Sequence, residues 1–169
     1  MQQTTNSWEE SLRRTRAMLS GSIAAARLIA VCAATNNPAA SAIANLLASA
    51  FTESGEHCTS VELSDRSTLN GILTRADQFT GKTFLHCPPL DESSLALEIA
   101  RSVEGFILIV EIGRQRADVL ERNIKALRLS GGVILGAIPV QDVRRKIGKE
   151  LVSQKETARL ERPLVTELS

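Results

Sequence analysis

Two patterns of apolar and polar residues alternate along this chain. The first consists of short, unbroken apolar runs: LIAVCA (28–33), CTSVEL (58–63), KTFLHC (82–87), FILIVE (106–111) and GVILGAI (132–138). Continuous runs of this length are expected of strands in a parallel sheet covered on both faces. The second is helical. Asn37-Pro38 offers an N-cap and a first helical residue, Ile43, Leu46, Leu47, Ala50 and Phe51 follow at helical spacing, and Gly55 closes the element. Over 116–129, Ala117, Leu120, Ile124 and Leu127 form one stripe, with Asp118, Glu121, Arg122, Lys125 and Arg128 mostly outside it. A further helix is predicted over 91–102. Ahead of the first strand, Ser7-Trp8-Glu9-Glu10 is a capping-box pattern that predicts a helix over about 8–19. Strands alternating with helices imply a doubly wound α/β domain, a mainly parallel sheet of about five strands with helices on both faces. The expected organisation is an N-terminal helical arm (1–27), one α/β domain (28–155) and a weakly periodic tail (156–169).

Composition narrows the function classes. A chain of 169 residues suits one domain with a sizeable core. With 20 Lys plus Arg against 19 Asp plus Glu, no global field draws it to nucleic acid or to an anionic membrane. No apolar run approaches the roughly 20 residues of a membrane helix, and the polar start MQQTTNSWEE does not read as a signal peptide, so a cytoplasmic protein is expected. Three cysteines are expected to be reduced. Cys58 and Cys87 each follow a histidine, which raises a metal reading. Cys32 and Cys87 lie near the ends of their strands while Cys58 opens its own, so the spacing favours buried structural thiols and no metal.

In such sheets ligands bind beyond the carboxyl ends of the strands, which directs attention to loops 34–37, 64–68, 88–91 and 112–115. The first loop lies where many α/β proteins clamp nucleotide phosphates. That job needs glycines to turn backbone N–H groups inward, a lysine, and a hydroxyl for Mg²⁺. Here the loop reads Asn36, Asn37, Pro38, Ala39, Ala40 and Ser41, of which Ser41 alone suits its role.

In order along the chain, ESLRRTR (10–16), LIAVCAATNNPAASAIANLL (28–47) and FLHCPPLDESSLALEIARSVEGFILIVEIGRQRADVLERNIKALRLSGGVILGAIP (84–139) resemble the bacterial tyrosine kinases of capsule and exopolysaccharide synthesis, relatives of the MinD and ParA type of P-loop ATPase. The resemblance spans roughly 9–140 and implies a shortened P-loop fold. It also implies an ExxRxxR oligomerisation motif at Glu10, Arg13 and Arg16, a homo-oligomer, and docking on the cytoplasmic segment of a membrane polysaccharide co-polymerase, a chain-length regulator.

The departures from that family are concentrated at its chemistry. Ala39 or Ala40 stands for the Walker A lysine, Pro38 and its neighbours for the loop glycines, and His86 for the Walker B aspartate. The second strand ends VELSDR, leaving Glu62 and Asp65 as relics of an aspartate pair. Only eighteen residues (64–81) replace a longer middle segment. Pro139-Val140 sits where an asparagine meets adenine, and with no tyrosine in the chain the phosphotyrosine cluster is absent. Phosphate cradle, metal ligand, base contact and self-substrate are lost together, which reads as a pseudoenzyme with no cofactor, peripheral at the membrane through its partner.

Each feature has a plainer reading. Glu10 and Arg13 also fit an exposed i,i+3 pair. His86 fits either a general base or, better, a hydrogen-bonded histidine in a vacated position. RRKIGK (144–149) fits a membrane contact or, better, a solvated helix face. Alternatives at the level of function are a residual ATP or ADP binder and a receiver-type signalling domain. The latter would need clustered acids at strand ends, which supply only Glu62, Cys87 and Glu111.

Overall fold

The computed structural model describes residues 5–37, 40–75 and 80–140, with side chains in the first helix from Glu10 onward. The elements are α1 (Thr5–Ser22), β1 (Leu28–Ala33), α2 (Ala40–Glu53), β2 (Cys58–Glu62), α3 (Arg66–Arg75), β3 (Lys82–Cys87), α4 (Leu95–Glu98), β4 (Gly105–Glu111), α5 (Ala117–Leu129) and β5 (Ile134–Val140). The strands form one sheet in the order β2-β3-β1-β4-β5, every pairing parallel. The expected α/β architecture is therefore present. The tail (156–169) and the RRKIGK stretch lie outside the described residues.

Side-chain alternation divides the core into two layers. Ile29, Val31, Ala33, Phe84, Ile107 and Ile109 face α1 and α2, where they meet Leu19, Ile23, Ala44, Leu47 and Phe51. Ala30, Cys32, Leu85, Cys87, Phe106 and Leu108 face the other side and meet Leu69 and Ile72 of α3, Leu95 and Ala96 of α4, and Leu127 of α5. The rings of Phe51 and Phe84 pack tilted at 5.7 Å, joining α2 to the sheet. Because Leu19, Ile23 and Ala26 are buried in the first layer, the C-terminal half of α1 belongs to the core.

Local chemistry sets several boundaries. Helix α2 ends in a Schellman closure: Gly55, at φ 94, donates to the Thr52 carbonyl at 3.0 Å, and Glu56 donates to Phe51 at 3.1 Å. Helix α1 starts at Thr5, ahead of the Ser7 capping box, and runs three residues past the expected end. Strand β5 begins at Ile134 rather than Gly132, because the Gly132 N–H is still engaged by the Leu127 carbonyl closing α5. Pro139 is tolerated in β5 because that strand is the sheet edge.

Two expectations about helices are corrected. The region 91–102 holds only one α-turn, Leu95–Glu98. Pro88-Pro89 precede it, and Glu92 and Ser93 turn back to the Pro89 carbonyl. After it, Ala100 and Ser102 bond three residues back rather than four. Helix α3 was not predicted. It is capped by Asp65 and buries only Leu69 and Ile72.

Candidate functional site

The residues singled out in the sequence fall in two places. At the carboxyl ends of β1, β3 and β4, the loop from Ala33 to Asn37 is tied to its neighbours at every turn. Ala33 accepts a hydrogen bond from the Leu90 N–H at 3.0 Å, Ala34 donates to Ile109 at 3.3 Å, and the Ala34 carbonyl accepts from the Asn123 amide at 2.7 Å. The Asn36 amide donates to a Glu92 oxygen at 2.6 Å. Asn37, only 7 % exposed, directs its amide toward Glu111 at 3.5 Å, and its carbonyl accepts from the Ala40 N–H at 3.1 Å. Glu111 has an 11 % exposed side chain and pairs with Arg114 at 3.4 Å. Pro38 and Ala39 lie outside the described residues. Ala40 is buried, and Ser41 is half-buried in the first turn of α2.

Two carboxylates thus stand beside the loop that would hold phosphate. At 4 Å, like unit charges repel by about 1 kcal/mol in water and about 4 kcal/mol near a protein surface. A polyphosphate beside Glu92 would meet that repulsion, while the charge of Glu111 is offset by Arg114, and the described part of the loop supplies no lysine. Sequence reasoning missed Glu92 altogether and named Glu111 only as a strand-end acid. The contacts join positions 56 and 74 residues apart, beyond the reach of any local pattern.

His86 is the register partner of Glu62 on β2 and of Val31 on β1. It is half-buried, and its Nδ1 has no hydrogen-bond partner among the described residues. The strand places it on the α2 face beside Val31, next to the exposed Glu62. Burial pushes the His86 pKa below the usual value, opposed by the Glu62 carboxylate. Burial thus favours the neutral imidazole.

Asp65 has a structural use. Its Oδ1 accepts from the Thr68 N–H at 2.8 Å, the Ser67 hydroxyl at 2.8 Å and the Thr68 hydroxyl at 3.0 Å, capping α3. Those bonds, the Thr68 N–H foremost, hold its pKa down at about 2. Val140, at the adenine-contact position of the resemblance, accepts from the Ile112 N–H at 2.8 Å. Cys32 and Cys87 are register partners buried in one core layer, with burial pushing Cys32 up to about 12 and Cys87 well above its usual value. Cys58 lies at the opposite end of the sheet. Among the described residues, no three His, Cys, Asp or Glu side chains are grouped to hold a metal ion. An open groove of about 370 Å³ runs along α5, lined by Glu121, Ile124, Lys125, Arg128 and Leu129.

The second place is α1. Glu10 and Arg13 are exposed and Arg16 is half-buried. Glu10 pairs more closely with Arg14, at 3.4 Å, than with Arg13, at 4.0 Å. No described helix is long and apolar enough to cross a membrane.

No family model and no curated protein matches the sequence. Solved structures do match. The kinase domain of Escherichia coli tyrosine kinase ETK superposes with a TM-score of 0.66 at 14 % identity, covering 79 % of this chain and 76 % of that one. The BceF tyrosine kinase domain gives 0.62 at 20 % identity (79 % and 77 % covered), and the VpsO kinase domain gives 0.61 at 13 % (79 % and 97 % covered). This chain has the fold of bacterial tyrosine kinase domains. The likeness is one of architecture. The loop after β1, with Glu92 and Glu111 beside it, occupies the position at which P-loop folds cradle phosphate.

Proposed function

We propose that this protein is a non-catalytic, tyrosine-kinase-like subunit of a polysaccharide synthesis and export system, acting by self-association and by docking on a membrane chain-length regulator. The single observation that carries this reading is that Asn36 and Asn37 direct their amides to Glu92 and Glu111, which sets two carboxylates beside this loop. Phosphoryl transfer depends on positioned cations and N–H groups that stabilise charge on the transferred group. Carboxylates there work against it. The fold likeness to kinase domains and the resemblance in the sequence support the pathway. Exposed Glu10 and Arg13 support a role in assembly, since an arginine fork grips a partner's carboxylate bidentately.

The experiment has two arms. ADP release from Mg-ATP, measured beside an active kinase domain, is expected to stay at background. Turnover comparable to that enzyme, abolished by a change at Ser41, would overturn the non-catalytic reading. In light scattering, Arg13→Ala with Arg16→Ala is expected to lower the oligomeric state with circular dichroism unchanged. A wild type that is monomeric at micromolar concentration, with and without the regulator's cytoplasmic segment, would remove the assembly reading.

A further inference from the structure

Lys82 opens β3, and its side chain is only 11 % exposed. A nearly buried ammonium is costly unless it is given oxygen partners. This one has four. Nζ donates to the carbonyls of Ile23 and Ala24 at 3.0 Å and of Ala26 at 3.2 Å, and lies 3.4 Å from a Glu56 carboxylate oxygen. The three carbonyls belong to the bend that leaves α1, where a cation complements the helix dipole. On the next residues the polarity reverses. One Glu104 oxygen accepts from the N–H groups of Arg27 and, at 2.6 Å, Leu28. The bend between α1 and β1 is thus gripped by a cation on its carbonyls and an anion on its amides.

A second point fixes the helix. A Cβ at Gly136 of β5 would lie 2.6 Å from Leu19 Cδ2, so α1 rests directly on the edge-strand backbone. One contact under the helix and one clamp at its end determine an axis.

We infer that Lys82 is the positioning residue of α1. It sets the angle at which the helix leaves the sheet, and thereby the direction in which Glu10 and Arg13 are presented. The bearing on assembly rests on the self-association reading above; the clamp itself does not.

The test compares the full-length wild type with Lys82→Met and Lys82→Arg by residue-resolved hydrogen exchange, with light scattering on the same samples. In Lys82→Met the amides of Ile23, Ala26, Arg27 and Leu28 are expected to exchange at least tenfold faster, while those of Ser130 and Gly132 at the end of α5 stay unchanged. Lys82→Arg, which keeps donors for several carbonyls, is expected to restore most of the protection. Unchanged exchange at 23–28, or equal acceleration in α5, would overturn the inference, the latter marking simple loss of stability. A monomeric wild type with local acceleration in Lys82→Met would uphold the clamp and remove the assembly reading alone. Should Lys82→Met not fold, Glu56→Gln weakens the clamp by one partner and is expected to give the same pattern at smaller amplitude.

Discussion

At the amino ends of the strands, the α1–β1 bend is held by charges of the right sign, Lys82 on the carbonyls of Ile23, Ala24 and Ala26 and Glu104 on the amides of Arg27 and Leu28. At the carboxyl ends, polar groups meet more awkwardly. Asn36 and Asn37 spend their amides on Glu92 and Glu111, while His86 Nδ1 and both Gln115 amide atoms are buried without partners among the described residues. The amino end is held together by paired charges. On the reading proposed above, the carboxyl end carries side chains that would oppose a phosphate ligand. Unsatisfied buried groups cost stability, and proteins tolerate them chiefly where a site is or was.

The largest expected effect lies in the frame that both ends share. Phe84→Ala removes a fully buried ring packed on Phe51 and should destabilise by about 3–5 kcal/mol, read from chemical denaturation. The amino end is expected to be next in sensitivity. Glu104→Ala leaves two backbone N–H groups without their carboxylate and should cost about 1–2 kcal/mol. A loss no greater than that of an ordinary surface substitution would erase the contrast between the two ends.

The carboxyl end should respond to pH instead. Because the folded-state pKa of His86 lies below its unfolded value, protonation favours the unfolded chain. Its stabilising share is complete above the unfolded pKa of about 6.5 and is lost as pH falls toward the lower folded value. The stability of wild type relative to His86→Leu, read from denaturation midpoints, should therefore fall on acidification through that window, and parallel curves would contradict the burial argument. The smallest effect is expected at Asp65. Asp65→Ala should lower the thermal midpoint modestly at neutral pH. As a carboxylate whose folded pKa is depressed to about 2, its contribution is present above the unfolded value and fades as pH falls through the folded one. The difference should thus vanish in strong acid.

These contrasts also mark what sequence could disclose. The strands were legible because both faces of a parallel sheet are covered, leaving runs such as LIAVCA with no polar interruption. Helices α2 and α5 were legible through their stripes, and α2 also through Gly55. Helix α3 escaped because RSTLNGILTR mixes Ser, Thr, Asn and Gly with two core anchors, and its real signal was Asp65 capping three residues ahead. The span 91–102 was overextended because Leu95, Ala96, Ile99, Ala100 and Val103 are all buried, a spacing that turns satisfy as well as a helix does. At the candidate site the loss of glycine and lysine was legible. The arrival of Glu92 and Glu111 was not, and neither was the Lys82 clamp, whose carbonyls lie nearly sixty residues away.

On the proposed reading, the loop after β1 meets the protein's own carboxylates and binds no nucleotide phosphate. Thermal unfolding of the full chain with and without millimolar Mg-ATP or Mg-ADP tests it most directly, because a ligand that binds only the folded state must stabilise it, by about 2.7 kcal/mol at a hundredfold excess over Kd. An unchanged midpoint with either nucleotide is the predicted result. A saturable rise in the midpoint that is lost on mutating Ser41, or that grows in Glu92→Gln with Glu111→Gln, would show a working nucleotide site and contradict the account.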